Sequence, residues 1–266
     1  LVLETYGISP ETTGSDIRCD TETIRLGTLR NGLPVLFSKV AYQCDGIVVV
    51  NRIKPHTDFH GNIESGLLKM LAVGLGKPSG ARNIHKLGAK VMSSNISEAA
   101  KIILERTPVL AGVATIEDGS NHLVDISVIS ASDIPRIEPS LLEKSRDFIP
   151  RLPASSIDVL IVEEIGKEIS GTGMDTNIIG KTRVENLPEP IKPSVQRIVV
   201  LGLTDNSYGN CLGIGLADFT TQKVMKKIDY STSMLNVMTS TFLQRGSMPI
   251  IMKTDRDAII GAIITC

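Results

Sequence analysis

The chain has 266 residues, 42% of them apolar and 21% charged, with a formal net charge of −1. This is globular composition, with enough length for one large domain or two modest ones. No basic excess supports phosphate-backbone binding, so nucleic acid is not expected as a partner.

The four cysteines, Cys19, Cys44, Cys211 and Cys266, form no Cys-x-x-Cys pair. They read as free thiols in a reducing compartment rather than as a disulfide framework or thiolate zinc site. No apolar run approaches the ~20 residues that span a bilayer, and residues 1–5 lack the basic and apolar regions of a secretory signal. The expectation is a cytoplasmic protein without membrane contact. The chain starts on Leu1 rather than Met and stops soon after the apolar stretch 258–264, so a portion of a longer protein is expected.

In chain order, residues 46–50 (GIVVV) predict a strand and residues 63–75 a helix with Ile63, Leu67, Met70 and Leu71 on one stripe. Asn62 would cap that helix, Glu64 would sit in its first turn, and the glycine-rich run 74–80 would end it in a turn. A helix over 96–105, a strand over 109–113 and a helix over 141–148 follow. Strands at 157–162 and 197–201, a helix over 217–227 and a strand at 249–252 complete the series. Continuously apolar strands alternating with helices predict two α/β domains with mostly parallel sheets covered on both faces, and the site in the cleft between them. The segment 148–156 carries Pro150, Pro153 and two serines and reads as a linker. That gives an amino-terminal domain 1–152, truncated at its start, and a carboxy-terminal domain 153–266. Lys223, Lys226 and Lys227 read as a solvated helix face, and Asp205 and Asp218 as turn formers.

Three of the four histidines, His56, His60 and His85, fall within thirty residues, just beyond the first strand. His56 follows Pro55 at the strand end, where ligands sit in open α/β sheets. Lys69 lies off the apolar stripe, beside Ser65, Gly66 and Ala72. The run 74–80 lacks the spacing of a phosphate loop, and Pro78 removes an amide donor. From residue types alone, His56, His60 and His85 with Asp58 or Glu64 also suit a zinc-type metallohydrolase, though no His-Glu-x-x-His spacing fixes its geometry. A scaffold portion without catalysis is a further reading. His122 follows a polar turn and reads as a loop residue.

Residues 51–85, NRIKPHTDFHGNIESGLLKMLAVGLGKPSGARNIH, resemble the nickel-pincer lactate racemases and their uncharacterised relatives. Residues 165–180 and 209–219 are similar to one subgroup of those relatives. The resemblance implies a racemase or epimerase that inverts an α-hydroxy acid by reversible hydride transfer to a nickel pyridinium-dithiocarboxylate mononucleotide. It implies that Pro55-His56 supplies the catalytic base. Lys69 would hold the pyridinium mononucleotide, at times covalently, Phe59 would stack on it, and His85 of Asn83-Ile84-His85 would bind nickel. Met174-Asp175-Thr176-Asn177 resembles a turn that precedes a substrate-binding glutamine and lysine. In that register the glutamine position holds Gly180 and the lysine position Arg183, with Lys181 adjacent; Arg183 would bind the substrate carboxylate. The family's second catalytic histidine would fall upstream of Leu1.

Overall fold

Nine strands build three sheets in the computed structural model, which describes residues 2–185 and 187–266. Strands β1 (Thr23–Thr28) and β2 (Pro34–Ser38) form an antiparallel hairpin. Strand β3 (Ile47–Arg52) pairs in parallel with β4 (Val109–Glu117), and β4 pairs antiparallel with β5 (Leu123–Ser130). Strands β6 (Ser156–Val162), β7 (Ser194–Val200), β8 (Phe219–Thr221) and β9 (Ile250–Met252) lie in that order, all parallel. The protein is therefore α/β, with parallel pairing prevailing in its larger sheet.

The cores follow these sheets. One cluster gathers buried side chains from Leu26 to Leu142, including Phe37, Val49, Leu67, Ile96 and Ile134. On the four-stranded sheet, alternate residues of β7 serve opposite faces. Ile198 and Val200 join Ile165 and Ile214, whereas Val199 joins Phe219 and Ala258 of the helix Asp255–Ile264. Covering on both faces explains why β7 reads as a continuous apolar run.

The three-stranded sheet departs from that expectation. Val49, Gly112, Ala114 and Ile129 face the core, but the other face exposes Val48 (56%), Val50 (60%), Ile126 (55%) and Val128 (75%). Among the described residues, no helix is long and apolar enough to cross a membrane.

Several elements differ from the sequence reading. The helix expected over 63–75 is a short helical turn, Leu67–Lys69, continuing as a π-helix, Met70–Gly74. Asn62 does not cap the helix, which starts only at Leu67, because Ser65 is bridged antiparallel to Lys54. The glycine-rich run holds only a brief turn before the helix Lys77–His85 begins inside it. Residues 217–227 contain β8 and then the helix Gln222–Lys227, since Phe219-Thr220-Thr221 suits a buried strand. The helix placed at 141–148 starts earlier, at Ile134, and runs to Ser145.

Candidate functional site

The Lys54–Ser65 bridge closes a loop whose tip carries His56, Asp58, Phe59 and His60. Glu64 holds this loop from inside. Its carboxylate is 1% exposed and accepts the backbone N–H groups of His56 (2.6 Å) and Gly61 (3.1 Å), and a guanidinium N–H of Arg146 (2.7 Å). His60 Nδ1 stands 3.3 Å from it. Burial opposes ionisation, but the His60 and backbone hydrogen bonds outweigh it, so the Glu64 carboxyl lies below its usual range.

His56 is clasped from three directions. Its Nδ1 accepts the Asp58 backbone N–H at 3.0 Å, its Nε2 is hydrogen-bonded to Lys69 Nζ, and its ring packs on Phe59 with centroids 4.4 Å apart. Burial first, and the Lys69 charge second, push its pKa down to about 3, so the ring is neutral near pH 7. Lys69 is itself pushed down to about 8, chiefly by burial. A neutral imidazole carries one N–H. With Nδ1 occupied as an acceptor, the proton belongs on Nε2, and only an unprotonated Lys69 amine can accept it. The geometry thus stabilises the neutral amine, which at a pKa of about 8 is still the minor form at pH 7.

Lys69 ends a helical turn whose start is packed without slack. A Cβ on Gly66 would lie 2.4 Å from Glu138 Oε1 and 2.7 Å from Ile53 Cδ1. The buried Glu138 accepts the Leu68 N–H at 3.0 Å, while its Oε1 has no partner. After Lys69, Leu75 N–H bonds to Met70 O at 2.8 Å, the five-residue closure of a π turn; such turns recur beside functional sites. Gly66→Ala is expected to destabilise the protein by about 1–3 kcal/mol and to displace Lys69. Urea unfolding and the His56–Lys69 distance in a structure of the variant check both.

Burial pushes Glu138 up to about 7, against the opposing amides of Leu68 and Leu67. A carboxyl raised on folding contributes stability that is complete below its unfolded pKa of 4.5 and disappears as pH rises through about 7. Glu138→Gln is therefore expected to flatten the pH dependence of stability between roughly pH 5 and 8, a span worth on the order of 3 kcal/mol. Denaturant midpoints at those two pH values measure it.

His85 closes the helix Lys77–His85 and is half-buried. Its Nδ1 lies 2.6 Å from Ala81 O and donates to it, so the neutral form of the ring has its lone pair on Nε2, the tautomer of a metal ligand. It lies within electrostatic reach of His56, whose pKa its charge would lower.

The other expected site residues are placed as follows. Phe59 is 2% exposed and walls His56, with Lys69 Nζ 5.9 Å from its centroid, rather than offering an open platform. Lys181 and Arg183 both grip Asp218, at 2.9 and 2.7 Å, and Arg183 also donates to the carbonyls of Gly215 and Ala217. Asp218, read as a turn former, is the anchor of this pair. The 174–177 turn does meet the His56 loop: Thr176 Oγ1 donates to Thr57 O at 2.7 Å and Asn177 Nδ2 to His56 O at 3.2 Å. A zinc-type set is not assembled. Among the described residues, no three His, Cys, Asp or Glu side chains gather to hold a metal ion. His122 is 79% exposed by side chain, beside Asp118.

Sequence reasoning missed Arg146, Glu138 and Arg245. Arg245 is 1% exposed and ion-paired with Asp58. Burial opposes the Asp58 anion, yet the Arg245 charge, His56 and hydrogen bonds hold its pKa below the usual range. A cavity of about 160 Å³ between the two halves is lined by His56, Asp58, Thr172, Leu212 and Arg245, among others.

No family model matches the chain, and no curated protein matches it. Among solved structures, a protein from Thermotoga maritima is similar at a TM-score of 0.51 and 14% identity, over 92% of this chain and 66% of that one. The lactate racemase apoprotein from Thermoanaerobacterium thermosaccharolyticum aligns at a TM-score of 0.42 and 13% identity, over 88% of this chain and 57% of that one. At these identities the first likeness concerns the fold. The chain spans about two thirds or less of either structure.

Proposed function

We propose that the chain is part of an isomerase that inverts a small α-hydroxy acid with the help of a nickel-pincer pyridinium nucleotide. The contact between neutral His56 and Lys69, with the Nε2 lone pair of His85 nearby, carries this reading. The side chains suit such a group. Lys69 has an amine already eased toward its neutral form, the state needed to bond the nucleotide covalently. His85 offers one imidazole lone pair, and one is enough where the nucleotide brings its own sulfur and carbon donors. Such a group needs no three-residue cluster of protein ligands, and among the described residues none gathers.

When bound, the nucleotide supplies a hydride acceptor. The chain's own residues manage the proton. His56 would take the proton of the substrate hydroxyl and later return it, so that the carbon beside the carboxylate, on losing its hydrogen as hydride, becomes an uncharged carbonyl and no dianion forms. Its resting pKa of about 3 is low for that task. With Lys69 bonded and uncharged, the second of the three causes of that depression, after burial and ahead of His85, would be gone and the imidazole would be more basic. Phe59, buried and packed on the ring, keeps water from one face of it.

The test uses the full chain loaded with the nucleotide and an α-hydroxy acid deuterated at the chiral carbon. Inversion with the label retained in product supports hydride return. Exchange of the label into water at the rate of inversion, or no inversion by loaded enzyme, overturns the reading.

A further inference from the structure

Arg245 is the largest side chain with under 2% exposure, and the carbonyl and carboxylate groups it grips come from both halves of the chain. It stands in the 3₁₀ turn Leu243–Gly246, where its guanidinium lies 4.9 Å over the Phe242 ring. Its Nε donates to Thr182 O at 2.9 Å and its Nη2 to Thr57 O at 2.9 Å, while Nη1 is paired with Asp58 Oδ1. Thr182 belongs to the same half as Arg245; Thr57 and Asp58 flank the amide that bonds His56. The turn has little freedom to move, because Gly213 N–H bonds to Arg245 O at 3.1 Å and a Cβ on Gly215 would lie 2.2 Å from Gln244 O.

Each link constrains the next. A planar fork with fixed donor directions orients Thr57 O and the Asp58 carboxylate together. Those two groups set the plane of the Thr57–Asp58 peptide, and that peptide's N–H is the donor to His56 Nδ1. Which ring nitrogen carries the proton follows from the bond the other one makes. We infer that Arg245 is a positioning residue: by orienting the Asp58 amide it fixes His56 as the Nε2–H tautomer and so stabilises the lone-pair form of the Lys69 amine relative to the ammonium.

This inference rests on the reading of His56 and Lys69 as the reactive pair, but its observable is independent of turnover. Other charges face the pair as well. Lys69 is near Asp58, Lys54 and Glu64, His56 is near His85, and Lys167 faces Asp58. None of these donates to Thr57 O. Loss of the arginine charge would also free the Asp58 carboxylate, whose Oδ2 is 3.8 Å from His56 Nδ1, so the double variant Arg245→Met/Asp58→Asn separates the two roles. A positioning arginine leaves the shift to Nδ1–H in place in that variant, whereas a return to Nε2–H overturns the inference.

The experiment reads the His56 ring nitrogens by ¹⁵N NMR, and the titration of Lys69 through its Cε carbon, in wild-type full chain and in Arg245→Met and Arg245→Lys. Expected are the Nε2–H form in the wild type and a shift toward Nδ1–H in Arg245→Met. The Lys69 midpoint should rise by about one pH unit in that variant, leaving roughly tenfold less free amine at neutral pH. Arg245→Lys should recover part of the wild-type pattern. A wild-type ring already in the Nδ1–H form overturns the inference without any variant being needed. A folded Arg245→Met with the wild-type tautomer and midpoint overturns it too. Absence of racemisation alongside the expected tautomers would count against the proposed function and leave this inference standing.

Discussion

Exchanging His56 for glutamine should cut the rate of hydroxy-acid inversion by about 10²–10⁴ while leaving the fold in place. The glutamine amide can reproduce both bonds of the imidazole, accepting the Asp58 N–H through its oxygen and donating to Lys69 through its nitrogen. What it cannot do is take up a proton and return it. The loss should appear in kcat, with KM close to that of the parent, because the variant keeps ground-state contacts and lacks only the transfer step. Steady-state kinetics on the loaded enzyme measure this. Turnover at the parental rate would remove His56 from the chemistry.

The second large effect belongs to Glu64. Replacing it with leucine would leave the His56 and Gly61 amides and the Arg146 guanidinium facing an apolar side chain. Leaving a buried donor without its acceptor costs about 1–3 kcal/mol, a cost that falls on the two loop amides, since Arg146 is 34% exposed by side chain and keeps Glu143 at 3.2 Å. Denaturant unfolding should register this. Glu64 is held below its ordinary pKa of 4.5, so its contribution is present above that value and is lost as pH falls through the lower folded pKa. The leucine variant should therefore lose less stability on acidification than the parent. An unchanged denaturation midpoint would mean that Arg146 and the two amides find other partners.

The strands near 46–50, 109–113, 157–162, 197–201 and 249–252 were legible because β-branched apolar runs between turn residues leave few alternatives. The alternation Ile126-Ser127-Val128 in β5 went unread, and so did β1 and β2, whose polar positions weaken the pattern. The stripe Ile63–Leu67–Met70–Leu71 suggested one long helix. Spacing alone does not show that Gly66 is wedged between Glu138 and Ile53, or that Ser65 pairs with Lys54, which together delay the helix.

Within the site, His56 stood out at the strand end, whereas Lys69, thirteen positions on, was marked as its partner only by the resemblance of residues 51–85 to a known family. Glu64 was noticed but assigned to a helix dipole, when its carboxylate turns inward to backbone amides. Arg245 lies 187 positions from Asp58 and Arg146 lies 82 from Glu64. Periodicity says nothing about partners so far apart, and a charged residue in a sequence is by default a surface residue. Lys181 and Arg183 illustrate the same limit, since their common partner Asp218 is more than thirty positions away.

The bare side of the three-stranded sheet has a practical consequence for anyone handling this chain. Val48, Val50, Ile126 and Val128 form a strip of branched hydrocarbon in water, on a molecule whose net charge of −1 gives little mutual repulsion. That strip favours self-association, so sulfate and similar salting-out ions should drive precipitation early. A glutamate in place of Val128 should raise the working concentration without touching the reactive loop.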